Sequence, residues 1–229
     1  MAPDVTEIST SRQRAAASLR GTGVAGIAAL LVVVATAVLF TPAAAVLILL
    51  WAWVSRTPWR SLGLYRPRSW FVAIGLGAAL GVVEKLLMKA LIMPLLGAPA
   101  VNPHFSYLAD NPRAALFFAA YAVVGAGFAE ELVFRGYLIE RIERLLVRVA
   151  GKKTIAILVS TAIFASLHYQ QGAAGIENAA ILGLLAALIY VGFGRNLWPL
   201  VAMHAVYDLL SLFLIYFHME AAAAHLIFR

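Results

Sequence analysis

The sequence predicts an all-α, polytopic transmembrane helical bundle, and three observations carry that prediction. Of its 229 residues 63% are hydrophobic and 13% charged, with a mean hydropathy of +0.88, outside the balance of soluble domains. The apolar residues fall in runs near the ~20 needed to span roughly 30 Å of hydrocarbon, without the roughly ten-residue alternation of an outer-membrane barrel. The charges collect between the runs, so the net charge of +7 reads as positively charged loops against membrane lipid, with no nucleic-acid partner expected. Cysteine is absent, which excludes disulfides, thiolate metal sites and cysteine nucleophiles.

Residues 1–21 are expected to form a polar N-terminal tail. Arg12, Arg14 and Arg20 before an apolar run, with Ala43-Ala44-Ala45 beyond it, mimic a signal peptide. The run continues to Trp53, past that point, so a retained first membrane segment is expected. Gly23 to Val54 is too long for one untilted span and is interrupted at Thr41-Pro42, where proline disfavours helix at the preceding residue. A tight helical hairpin is expected; the alternative is one long kinked helix, which would invert everything downstream. Ser55 to Ser69 mixes Arg56, Arg60, Arg66 and Arg68 with Trp59 and Tyr65, the composition of an interfacial segment. Trp70 to Gly97 is the next membrane segment, and its Glu84, Lys85 and Lys89 are expected to snorkel or pair locally. Asn102-Pro103 and Asn111-Pro112 mark Val101 to Arg113 as a loop on the opposite face.

A helix is then expected from about Ala114, continuing through Glu130 into an amphipathic stretch from Ile139 to Val149. There Ile142, Leu145, Leu146 and Val149 lie on one face and Glu140, Arg141, Glu143, Arg144 and Arg148 on the other. Gly151-Lys152-Lys153 ends it in a turn. Thr154 to His168, Ala179 to Phe193 and Leu197 to Phe217 complete the apolar segments, with linkers at Tyr169 to Asn178 and Gly194-Arg195-Asn196. No internal repeat or domain linker appears, so residues 1–229 are expected to form a single integral membrane domain. With the hairpin, about seven membrane segments (six to eight) place every basic cluster on one side, the cytoplasmic one.

Charged side chains inside these runs need a reason, because one near the bilayer centre costs from ~3 to over ~10 kcal/mol. Glu131 with Arg135, and His204 with Asp208, are spaced four apart and share a helix face. Glu130 is rotated about 100° from Glu131. Glu131 is therefore expected to be held by Arg135 while Glu130 stays available for chemistry. Counting ~1.5 Å per residue puts Glu130 and His168 on the order of 20 to 30 Å from the Gly151 turn, so a single cavity opening toward the cytoplasmic, basic side is expected.

A carboxylate and a histidine can deprotonate a water, and a second histidine with a hydrogen-bonding neighbour can stabilise the oxyanion formed at a carbonyl. That set suits amide hydrolysis with no cofactor. Glu130, His168 and His204 would equally make the two-histidine, one-glutamate set of catalytic zinc, although no H-E-x-x-H spacing selects it. The bland alternatives are an architectural Glu131–Arg135 ion pair, a packing role for His168 and an Asp208 that only caps or pairs with His204. His104, His218 and His225 are assigned no role. A proton relay, transporter, immunity or scaffold protein would use the same polar cavity without catalysis.

The residues Glu130, Glu131 and Arg135 followed by Gly136-Tyr137, then Phe164 and His168, then His204 and Asp208, resemble in this order the motifs of the CPBP family. Those are the CAAX protease and bacteriocin-processing intramembrane proteases related to the type II CAAX prenyl endopeptidase. The resemblance spans the expected catalytic core, residues 114–215. It implies an intramembrane endopeptidase, glutamic in type with a zinc metalloprotease as alternative, in which Glu130 and His168 activate water. His204 and the residue at 208 would stabilise the oxyanion, with Glu131, Arg135 and Phe164 shaping the site. Many relatives carry asparagine where this chain has Asp208, and an ionised aspartate cannot donate to an oxyanion. The expected partners are membrane lipid and a membrane-associated peptide or protein substrate, prenylated ones included. The expected location is a prokaryotic inner membrane.

Overall fold

The structure, a computed structural model, describes residues 5–228, and all of the regular structure among them is helical. Five helices are long and apolar enough to cross a membrane: Val24–Ser55 (α2), Trp70–Leu95 (α3), Pro112–Leu145 (α4), Tyr169–Gly192 and Leu197–Tyr216. The regular part of the fourth is Gly172–Gly192 (α6), preceded by Lys152–Ser166 (α5), and Leu197–Tyr216 is α7. Val5–Arg20 (α1) and Glu220–Ala224 (α8) flank them. The polar tail is thus helical over its described part, its first four residues lying outside the described ones, and Ala16 and Leu19 turn inward from it.

Proline at position 42 does fold the first apolar run back on itself. Phe40 leaves the helix at φ −163°, ψ 99°, and the two ends of α2 meet a single side chain. Arg141 reaches the Gly26 carbonyl at 3.5 Å and lies 5.4 Å from the centre of the Trp51 ring. A straight helix would separate those two residues by roughly 37 Å. Trp51 also donates to the Leu19 carbonyl at 3.2 Å, so both arms start from one level. Counting the two arms and α5, the seven apolar segments of the sequence are all present as helix.

Arg141 and Glu140 correct the expected polar face of residues 139–149. Helix α4 ends at Leu145, and both side chains are buried. Arg141 donates to the carbonyls of Arg20 and Gly21 at 2.7 and 2.6 Å, capping the orphan acceptors at the end of α1, while Glu140 pairs with Arg144. A heptad pattern cannot show a charged residue whose partner lies on a remote element.

The basic segments do gather at one end. Arg20 donates to the Arg56 carbonyl, Arg195 pairs with Glu143 at 2.6 Å, and Tyr65 donates to the Gly194 carbonyl at 2.6 Å. At the other end Lys89 donates to Ala100 and pairs with Glu220 at 3.1 Å, and His218 meets Asp110 at 2.6 Å. The lysine at 89 is therefore paired, though with the C-terminal helix and not locally. Glu84 behaves otherwise: it is buried, and neither carboxylate oxygen has a hydrogen-bond partner among the described residues.

Helices α3 and α7 pack along a seam that explains two glycines. A Cβ at Gly77 would stand 2.1 Å from the Pro199 carbonyl oxygen, and one at Gly81 2.3 Å from that of Met203. Their four-residue spacing is the small-xxx-small arrangement that lets backbones approach closely within a bilayer. This seam fixes the helix carrying His204 and Asp208.

Candidate active site

Helix α4 carries the first part of the site on widened, π-helical backbone, over Ala122–Glu130 and again over Leu132–Leu138. Such insertions alter which side chains share a face, and here one released carbonyl finds a new donor: Ser160 donates to Phe134 O at 2.7 Å. Two residues on, a Cβ at Gly136 would stand 2.7 Å from the Leu62 carbonyl oxygen. The glycine after Arg135 therefore lets the Trp59–Leu62 turn press against the helix.

Glu131 is fully buried, and its Oε1 accepts from Arg135 Nη1 at 2.9 Å and faces His204 Nδ1 at 2.8 Å. Arg135, 1% exposed, also donates to the Gly183 carbonyl at 3.3 Å and lies over the Phe164 ring at 4.6 Å. One ion pair thus joins α4, α5, α6 and α7. Phe164 serves as the common wall, its ring 5.1 Å from Phe134, 4.8 Å from His168 and 6.1 Å from His204.

His204 stands at the centre of the carboxylates. With Nδ1 turned to Glu131, its Nε2 lies 3.9 Å from Glu130 Oε2 and 3.9 Å from Asp208 Oδ2. Glu130 is thus within reach of His204. His168 sits just past the end of α5, and its Nδ1 faces the Phe164 carbonyl at 2.9 Å. Donation to that acceptor leaves Nε2 as the lone-pair nitrogen.

Glu130, Phe164, His168, His204 and Asp208 line one cavity of about 510 Å³. Its other walls come from the hairpin apex at Val38 to Thr41, from Ala98 to Asn102, from Gln170 and Gln171, and from Glu220. All of these belong to the end opposite the arginine clusters, so the cavity lies toward that end, away from the basic side on which it was expected. Counting residues along helices gave a depth and no direction. Lys85, Tyr121 and Asn178 also line the cavity and were not singled out as site residues from sequence. An ionisable residue within an apolar run was the available signal at Lys85.

The donor types needed for zinc are present, but among the described residues no group of three or more histidines, aspartates or glutamates stands together to hold a metal ion. Glu130, His168 and His204 are not assembled as ligands in this conformation.

Residues 112–210 match a family model described as type II CAAX prenyl endopeptidase Rce1-like. The match takes in all three motifs and the helices α4 to α7 that bear them. No curated protein and no solved structure matches the chain.

Proposed function

We propose that this integral membrane protein, whose residues 112–210 match the type II CAAX prenyl endopeptidase Rce1-like model, is a CAAX protease of the CPBP family that hydrolyses a peptide bond in a membrane-associated substrate with a water activated by Glu130 and His168. The convergence of Glu130, His168, His204 and Asp208 on one cavity, from three different helices, carries this reading. Water enters beside the Glu130 carboxylate and the free Nε2 of His168, which accept its proton as its oxygen bonds to the scissile carbonyl carbon. The carbonyl π electrons move to oxygen. His204, when its ring carries both protons, offers Nε2–H to that oxyanion while Glu131 and Arg135 keep the ring in place. Collapse breaks the C–N bond, and the proton first taken from water goes to the leaving amine. Asp208 accepts hydrogen bonds and orients His204, since an ionised carboxylate has no proton to donate.

No step here passes through a metal. The glutamic reading is supported by two acceptors, Glu130 and His168, that face the same cavity without a shared ligand geometry. Measuring bound zinc and chelator sensitivity tests it, and stoichiometric zinc whose removal abolishes activity would replace it. The substrate is proposed to be a peptide or protein held at the membrane, prenylated ones included, and the location a prokaryotic inner membrane.

Purified protein in detergent, incubated with a library of membrane-proximal peptides, provides the test. Glu130→Ala, His168→Ala and His204→Ala are each expected to lower turnover by about 10² to 10⁴, the range for removing a positioned acid or base. Cleavage that survives all three substitutions in folded protein would remove this site from consideration.

A further inference from the structure

Within the cavity Lys85 is the cation that lacks a close acidic partner. Lys89, one turn further along α3, is taken by Glu220 and the Ala100 carbonyl. Among the described residues no carboxylate lies within 4.0 Å of Lys85 Nζ, which instead sits 4.7 Å above the Tyr207 ring. Tyr207 is itself fixed by donation to Asn178 Oδ1 at 2.6 Å, and its sequence neighbour is Asp208. Lys85 and Asp208 both line the cavity.

Asp208 has need of such a cation. It shares the cavity with Glu130, each carboxylate 3.9 Å from His204 Nε2, and Arg135 is already committed to Glu131. The charged and titratable groups that share the cavity with Lys85 include Lys89 from its own helix, Tyr121 and Glu130 from α4, His168 beyond α5, His204, Tyr207 and Asp208 from α7, and Glu220 from α8. An aspartate there costs far more than a neutral amide unless a charge of opposite sign shares the cavity.

We infer that Lys85 is a positioning residue of the site: its ammonium group, seated on Tyr207, is a counter-charge that favours the ionised form of Asp208, which in turn orients His204. The inference rests on the proteolytic reading above. Lys85 acts through Asp208 and His204 and does not touch the scissile bond.

A double-mutant cycle decides the matter. Turnover of a cleavable peptide is compared in wild type, Lys85→Met, Asp208→Asn and the double variant, with Lys85→Arg as the conservative control. Lys85→Met is expected to lower kcat by about tenfold or more with a much smaller change in KM, whereas the same change made on Asp208→Asn costs less than about twofold, as coupled neighbours behave. Lys85→Arg is expected to recover most of the loss. An equal factor in both backgrounds, or no loss in wild type, overturns the inference. The four proteins of the cycle are also melted in detergent, where Lys85→Met is expected to lower Tm in the wild-type background and not in the Asp208→Asn background. If no peptide is cut by wild type, the hydrolytic reading fails by itself, and the melting cycle alone decides whether the charge pair stands.

Discussion

Glu131 holds two nitrogen partners, Arg135 and His204, on a single oxygen, and its second oxygen is buried without a hydrogen bond among the described residues. A group so placed tolerates no loss of its neighbour. Arg135→Met leaves a carboxylate stranded in the core, and the expected cost is about 3 to 5 kcal/mol, read as a drop in thermal stability in detergent together with loss of turnover. Replacing both residues, Glu131→Leu with Arg135→Met, is expected to recover stability and not activity, because His204 then loses its clamp. Half of this arrangement was legible beforehand: a four-residue spacing brings Glu131 and Arg135 to one face whatever the fold. The other half was not, since the contact with His204 joins helices far apart in the chain, and spacing along one helix is silent about its neighbours. Lys85 and Glu84 show the same limit. Both were visible as charges in an apolar run, and only the packing of α3 on α7 separates the cavity-facing lysine from the glutamate buried behind it.

At the scale of helices, the seam between α3 and α7 sets the position of His204 and Asp208. Gly81→Val would drive a side chain into the Met203 carbonyl. The expected result is a loss of about 1 to 3 kcal/mol, the usual penalty for overpacking, with a lower melting temperature and a fall in kcat although the substitution lies outside the cavity. Gly75→Val, where a Cβ meets nothing within 4 Å, is the matched control and is expected to melt like wild type. The hairpin was readable because proline leaves a local mark. The burial of Arg141 was not, because its acceptors belong to the end of α1, more than a hundred residues earlier. The π-helical stretches of α4 also left no trace in the residue pattern.

For the molecule as a whole, two chemically distinct ends follow from the contacts, and the absence of cysteine makes the arrangement easy to test. Single cysteines introduced at Arg12, Arg60 and Arg148 are expected to react with a membrane-impermeant thiol reagent from one side, and those at Val101 and Asp110 from the other. Opposite labelling of positions 12 and 60 would mean that Val24–Ser55 crosses once and is not folded back. Composition and charge were sufficient to read a multi-helix membrane protein with its arginines at one end. They carried no information about which end the cavity faces, because that depends on how the hairpin apex and the short connecting segments close over it.

The break at Phe40 has a consequence for the lipid around the protein. Each arm of the hairpin rises only ~22 to 24 Å at helical pitch, and α5 is no longer, against roughly 30 Å of hydrocarbon in an average bilayer. Helices too short for their surroundings draw the two leaflets together. The apex of the hairpin forms part of the cavity wall, so thinning at these helices would fall beside Glu130 and His168. Headgroup water would then come closer to the middle of the membrane, on the side where the proposed hydrolysis consumes it.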